Sequence, residues 1–186
     1  DQGDFKSSIS HMAEAKTLDP QKYGEQVNVL SVLSYHKLQD VNKLKEALET
    51  LQKENPSAVA RVPDVIPAWL GLQAYGMKDL ETADKYMTWA TQNDQLQNVK
   101  KVIWRNLAKV RLALRKYDRA LVASNNFLKD EDQPYRRADG MLDKASILLG
   151  LGKYADARKT AEEALALGVE GPLMASLKIV LGDISY

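Results

Sequence analysis

The sequence predicts an all-α solenoid, about four helix hairpins stacked in a row with a lone helix at each end. Three observations carry this reading. Apolar residues recur at helical spacing along most of the chain, and few β-branched runs alternate with period two. A small residue returns every 36 or 37 positions, at Ala47, Ala83, Ala120 and Ala157. The six prolines fall between the periodic runs or at their starts.

The stretch Leu149–Ala157 shows the repeating unit most clearly. Leu142, Ala145 and Leu149 recur at helical spacing before it, and Ala157, Ala161 and Leu165 after it. Gly150 and Gly152 separate the two runs, because glycine suits the left-handed conformation that ends a helix. Two short amphipathic helices joined by a tight turn make an αα-hairpin.

Each element then follows in order. Residues 4–18 form a leading helix, ended by Asp19-Pro20, since the residue before proline resists helical geometry. The first hairpin pairs about 21–38 with 41–54 and stops at Asn55-Pro56. Residues 55–63 are a longer connection, after which Asp64 can cap a helix that tolerates Pro67 in its first turn. The second hairpin pairs 64–76 with 79–92, and Gly76 supplies its turn. Asn93-Asp94 leads into the third, 96–114 with 117–129, and the acidic link 129–134 follows it. The fourth pairs 135–150 with 153–167, and a final helix runs from Pro172 to Tyr186. The whole is one domain with units at about 1–20 (partial), 21–56, 57–94, 95–134, 135–171 and 172–186 (partial).

The alanines fix a frame. Three places before each lies a large apolar plug for the open end of the hairpin: Leu44, Leu80, Tyr117 and Tyr154. Twelve places before lie Tyr35, Gly71, Ala108 and Ala145, three of them small enough for a close helix crossing. At the start of the chain, Gly3-Asp4-Phe5 matches the turn and plug, and Ser8 takes the alanine's place. At the end, Leu181-Gly182 matches Leu70-Gly71 and Leu107-Ala108. The chain therefore starts with a second helix and stops with a first helix. A helix of about 15 residues is marginal alone in water, so each unit depends on its neighbours.

These residues resemble the tetratricopeptide repeat family, whose pattern is W-x2-L-G-x2-Y, then A-x3-F, then P. Trp104-x2-Leu107-Ala108, Tyr117-x2-Ala120 and Pro134 match best. Ala145, Gly152-Lys153-Tyr154, Ala157 and Pro172 form the next unit, and Trp69-Leu70-Gly71, Ala83 and Met87 the one before. Arg111 stands where the family prefers tyrosine, Pro67 where it prefers tryptophan, and Trp69 is shifted by two. The resemblance implies a right-handed superhelix whose first helices line the concave face. These motifs specify packing and name no chemistry.

Composition bounds the function. The 186 residues carry a net charge of +1, so bulk electrostatics point to no partner. With no cysteine there is no disulfide, thiolate metal site or cysteine nucleophile. No apolar run approaches the length of a membrane span. The chain begins at Asp1 without Met, which fits an exported or periplasmic segment, but no compartment is assigned. His11 and His36 lie on different helices without a metal-pairing neighbour, and no nucleophile–base pair is readable. Gly150-Leu-Gly152 follows no strand, so it is no dinucleotide loop. The expectation is no enzyme, no metal and no cofactor.

A basic segment remains. Lys100, Lys101, Arg105, Lys109, Arg111, Arg115, Lys116 and Arg119 lie within 20 residues, and Lys101, Arg105 and Lys109 share one helix face. The frame places Val32, His36 and Gln39, then Leu72 and Tyr75, Arg105 and Lys109, and Leu142 and Ser146 on the inner surface, and of these His36, Leu72, Tyr75, Arg105, Lys109, Leu142 and Ser146 are the groove candidates. Such a groove could hold a peptide or protein partner with an acidic group. The simpler reading is that the cations solvate the helix and pair with Asp residues of neighbouring units. Some family members clamp a C-terminal carboxylate with inner-helix cations and asparagines; Leu72 and His36 break that pattern here, so no chaperone binding is expected. The function read from the sequence is a non-enzymatic scaffold that binds a protein in its concave groove. The alternative is a structural or self-associating segment of a longer rod. Nucleic acid is argued against by the lack of an aromatic array beside the cations.

Overall fold

A computed structural model describes residues 2–92 and 97–184; at 2, 3, 5, 6, 97 and 98 it describes the backbone only. The Asn93-Asp94 link, the Phe5 side chain and the final Tyr186 lie outside the described residues.

The regular structure of the described residues is helical throughout. A leading helix α1 (Gln2–Leu18) runs into α2 (Pro20–Lys37), which pairs with α3 (Val41–Glu54). A short 3-10 turn, Pro56–Arg61, occupies the longer connection. Then come the pairs α4 (Val65–Gly76) with α5 (Leu80–Thr91), α6 (Gln97–Ala113) with α7 (Tyr117–Lys129), and α8 (Pro134–Gly150) with α9 (Tyr154–Leu165). The last helix is α10 (Gly171–Asp183). Every helix packs on the ones before and after it, and the most extensive packing is within the four hairpins. This is an α-solenoid, as the repeat predicts.

Its curvature follows from which helices meet at longer range. The first helices α4, α6, α8 and α10 pack on one another in succession, and no pair of second helices does so to the same extent. The first helices therefore line the inner, concave side. Between α2 and α4 the 3-10 turn intervenes and packs on both α2 and α3. The core is correspondingly divided. One cluster joins the first hairpin to Ala58, Val62, Ile66, Leu70 and Tyr86. A second lies between α4–α5 and α6, and a third under α8, α9 and α10.

All four hairpins close with the same three-residue turn. Gln39, Lys78, Arg115 and Gly152 occupy its left-handed position, with φ between 56° and 70°. In each, the next N–H bonds back to a carbonyl five residues earlier: Asp40 to Tyr35, Asp79 to Ala74, Lys116 to Arg111 and Lys153 to Leu148. The left-handed residue itself bonds three back, as Gln39 does to His36 and Lys78 to Tyr75. This paired closure is the Schellman motif. Only one of the four turns has the glycine that the motif favours, so the sequence hides the other three. Asp40 and Asp79 then cap the second helices, accepting from Lys43 N at 3.0 Å and Thr82 N at 3.2 Å. Asp19 caps α2 in the same way through Lys22 N.

The turns correct the frame. Counting from the left-handed residue, the small-residue place holds Leu44, Ala83, Ala120 and Ala157, and its first-helix counterpart holds Val32, Gly71, Ala108 and Ala145. The crossing of the first hairpin lies three positions before the one the alanine spacing predicts: Val32 and Leu44, both wholly buried, cross there, not Tyr35 and Ala47. Large residues thus stand at this one crossing, where the other three hairpins have at least one small residue. Gly76 does not supply its turn; Lys78 does. Gly150 is helical, and its reason is proximity: a methyl there would meet the Tyr117 ring at 2.4 Å. Tyr117 is therefore a plug against the following unit, whereas Tyr154 is 58% exposed and plugs nothing. Asp64 precedes α4 with helical backbone angles, and its side chain caps nothing.

Two stability outcomes follow. Lys78→Gly relieves a left-handed lysine and is expected to raise stability by about 0.5–1 kcal/mol, read from denaturant midpoints. Ala120→Leu overpacks a wholly buried crossing and is expected to cost ~1–3 kcal/mol; an unchanged midpoint contradicts this packing.

Candidate binding surface

The hairpin turns put the seven inner-surface candidates at three equivalent places. Three residues before the left-handed position stand His36 and Tyr75, in line with Leu112 and Leu149. Six before it stand Leu72, Lys109 and Ser146, in line with Leu33. Ten before it stand Arg105 and Leu142. All seven are half-buried. Counted from the turns, they fall in rows across the first helices.

The rows divide into two chemistries. On α2 and α4 the surface is apolar and aromatic. His36 meets the edge of Trp69, with ring centroids 5.4 Å apart. Burial first, then the charge of Lys37, hold His36 below its usual value and so favour the neutral ring. Leu72 and Tyr75 pack on the second core cluster, and Leu33 and Trp69 on the first. Leu30 and Val65 stand about half exposed beside them, at 45% and 50%.

On α6 and α8 the surface is charged but internally matched. Lys101 lies 3.9 Å from the buried Glu131, Arg105 pairs with Asp139, and Lys109 lies 3.6 Å from Asp143. Arg105 also stands over the Phe127 ring. Lys101 thus faces a carboxylate in the link that closes its own unit, while Arg105 and Lys109 each face a carboxylate of the following unit. Asp143 is held above its usual value because burial outweighs the pull of Lys109 and Arg105. Ser146 donates to Leu142 O of its own helix. Of the two readings of these cations, pairing with Asp residues of a neighbouring unit is the one the geometry gives: Arg105 and Lys109 each already hold an acid of this chain. The sequence carried a signal for this, since Asp139 and Asp143 each follow their cation by 34 residues, the same separation as Lys45 and Asp79, which pair at 3.2 Å.

Another part of the basic cluster is structural. Arg111, at the place of the family's tyrosine, is buried against Asp84, with Nε donating at 2.8 Å. It also donates to Thr88 Oγ1 at 2.8 Å and to the Arg119 carbonyl. Lys116 reaches Asp84 at 2.9 Å and Glu81 at 2.8 Å. Burial alone would raise the Asp84 pKa; the hydrogen bonds and charges of Arg111 and Lys116 outweigh it and hold the carboxyl below the usual range. The cluster ties α5, α6 and α7 together.

A cavity of about 780 Å³ opens between the 56–65 connection and the end of α5, beside Trp89. None of the seven candidates lines it. Among the described residues no group of three or more His, Asp or Glu is placed to hold a metal, and no helix is long and apolar enough to cross a membrane.

The arrangement defines a helical-repeat protein with a concave face, of a class commonly engaged in protein interactions and generally non-catalytic. The model of the tetratricopeptide repeat-like domain matches residues 21–185, and the chain belongs to that family. Among solved structures it is similar to BtubC (BKLC) from P. vanneervenii, at 18% identity and a TM-score of 0.49, over 89% of this chain and 73% of that one. No curated protein matches the sequence.

The buried pair gives a testable outcome. Arg111→Ala leaves Asp84 partly unpaired inside the protein and is expected to cost ~3 kcal/mol. Arg111→Leu combined with Asp84→Leu is expected to cost less than the single change, because no charge is stranded. Since the Asp84 pKa is lowered on folding, the stability it contributes holds above the usual aspartate value and is lost as pH falls through the lowered one. Denaturant titrations of both variants against pH check this.

Proposed function

We propose that this protein is a non-enzymatic scaffold that holds a protein or peptide partner in its concave groove, and that α2 and α4 supply most of the grip. One observation carries the reading. The half-buried row of Leu33, His36, Trp69, Leu72 and Tyr75 is apolar and aromatic, while the charges of the adjoining rows cancel within the chain. Half-exposed aromatic and aliphatic side chains on a rigid concave frame suit the apolar side of a partner segment. A partner carboxylate would have to displace Asp139 or Asp143 to reach Arg105 or Lys109. An acidic group on the partner is then a matter of orientation and specificity rather than of affinity.

The test places a photo-crosslinking phenylalanine analogue at Tyr75 and, as the outer-face control, at Val122 of α7. The reading expects partner adducts at 75 and none at 122, and Tyr75→Ala is expected to weaken the captured partner about tenfold. Adducts at 122 with none at 75 contradict it.

A further inference from the structure

The seams between successive second helices are joined by charge, and the third seam departs from the pattern. Counted from the left-handed turn residue, the first place of one second helix pairs with the sixth place of the one before. Between α3 and α5, Lys45 reaches Asp79 at 3.2 Å and the Thr82 hydroxyl at 2.7 Å. Between α5 and α7, Asp84 reaches Lys116 at 2.9 Å. Between α7 and α9 the same two places hold Leu121 and Lys153, so the lysine has no acid opposite it. The tenth and seventh places repeat the contrast. Glu49 pairs with Lys85 at 3.5 Å in the first seam, whereas Asn125 and Lys159 hold these places in the third.

Where the acid is missing, the seam opens. A cavity of about 330 Å³ lies there, lined by Leu121, Asn125, Lys153 and Lys159, with Lys144 and Leu148 added from α8. Among the described residues the ammoniums of Lys144 and Lys153 have no ion-pair or hydrogen-bond partner. Lys159 has only Glu163 of its own helix, at 4.0 Å. Asp156 also lines the cavity, and its carboxylate pairs with no cation among the described residues. The Thr160 hydroxyl beside it donates to Asp156 O. Two free ammoniums against one free carboxylate leave a single positive charge.

We propose that this cavity binds a small organic monocarboxylate. Its carboxylate takes the part that Asp84 plays one seam earlier, held by Lys153 and Lys144, and its short carbon body lies against Leu121 and Leu148. Charge-assisted bonds to the two ammoniums, partly sheltered from water, supply the affinity. A single uncompensated charge selects a monoanion over a dianion such as phosphate, which would be repelled by Asp156. The volume is at the small end for a ligand cavity and suits an acid of a few carbons. The site uses none of the groove residues, so it stands or falls apart from the scaffold reading.

Titration of the whole isotope-labelled chain with sodium butyrate tests it, with ionic strength held constant by sodium chloride and amide chemical shifts as the readout. The amides of Asn125, Lys153 and Asp156 are expected to move and to saturate. Lys153→Gln and Lys144→Gln, each checked for helicity by circular dichroism, are each expected to weaken binding roughly fivefold. Leu121→Glu supplies the missing acid from the chain itself and is expected to abolish binding. Butyramide, with the same carbon body and no charge, is expected to leave these amides in place. Shifts that rise linearly without saturating overturn the proposal. So does a Lys153→Gln chain that binds butyrate like wild type, or phosphate that binds as tightly as butyrate.

Discussion

The close crossing of a first helix on its second helix, at residues too small to hold the backbones apart, is the constraint on which the rest of this molecule depends. Gly71 against Met87 shows its limit, since even one added methyl overlaps both side chain and backbone there. A short helix is marginal alone, so this crossing must be made and then covered by the neighbouring unit. The three-residue turn serves the same end. It brings the second helix back onto the first with its polar groups paired, even where glutamine, lysine or arginine must take the left-handed position. The order of helices and the concave side follow.

Electrostatics then join one unit to the next. Most of the long-range ion pairs link neighbouring units, from Lys16–Glu54 and Lys45–Asp79 to Lys109–Asp143. Exposed pairs of this kind contribute little individually. The buried Asp84 is a different case, since two cations and a hydroxyl surround it and its ionised form is favoured despite burial. Asp143 lies on the other side of that balance: burial outweighs its cations and its pKa is raised. The difference is geometric. Asp84 receives direct hydrogen bonds at 2.8 and 2.9 Å, whereas the Lys109 ammonium stands 3.6 Å from Asp143.

Helix number, order and most boundaries were legible in the sequence, because periodicity and small-residue spacing record packing directly. In the first hairpin the alanine spacing points three residues too far, because Ala47 imitates the repeating alanine while the crossing holds Leu44. Only the backbone conformation at Gln39 exposes this, and glutamine announces no left-handed turn. Gly150 imitates a turn residue in the sequence, because a glycine needed for proximity looks identical to one needed for conformation. On the concave face, the positions were legible but their state was not. Pairing of Arg105 and Lys109 with aspartates of a neighbouring unit is one of two readings of the sequence, and Asp139 and Asp143 come into reach when α8 packs on α6.

With those cations engaged, the proposed binding in the groove rests on the apolar rows of α2 and α4. The most direct measurement is hydrogen–deuterium exchange of the whole chain, with and without a peptide selected for affinity to it. The account predicts protection concentrated in segments covering residues 29–37 and 65–76, with α5, α7 and α9 unchanged. Protection confined to those second helices, with the concave segments unaffected, would contradict it.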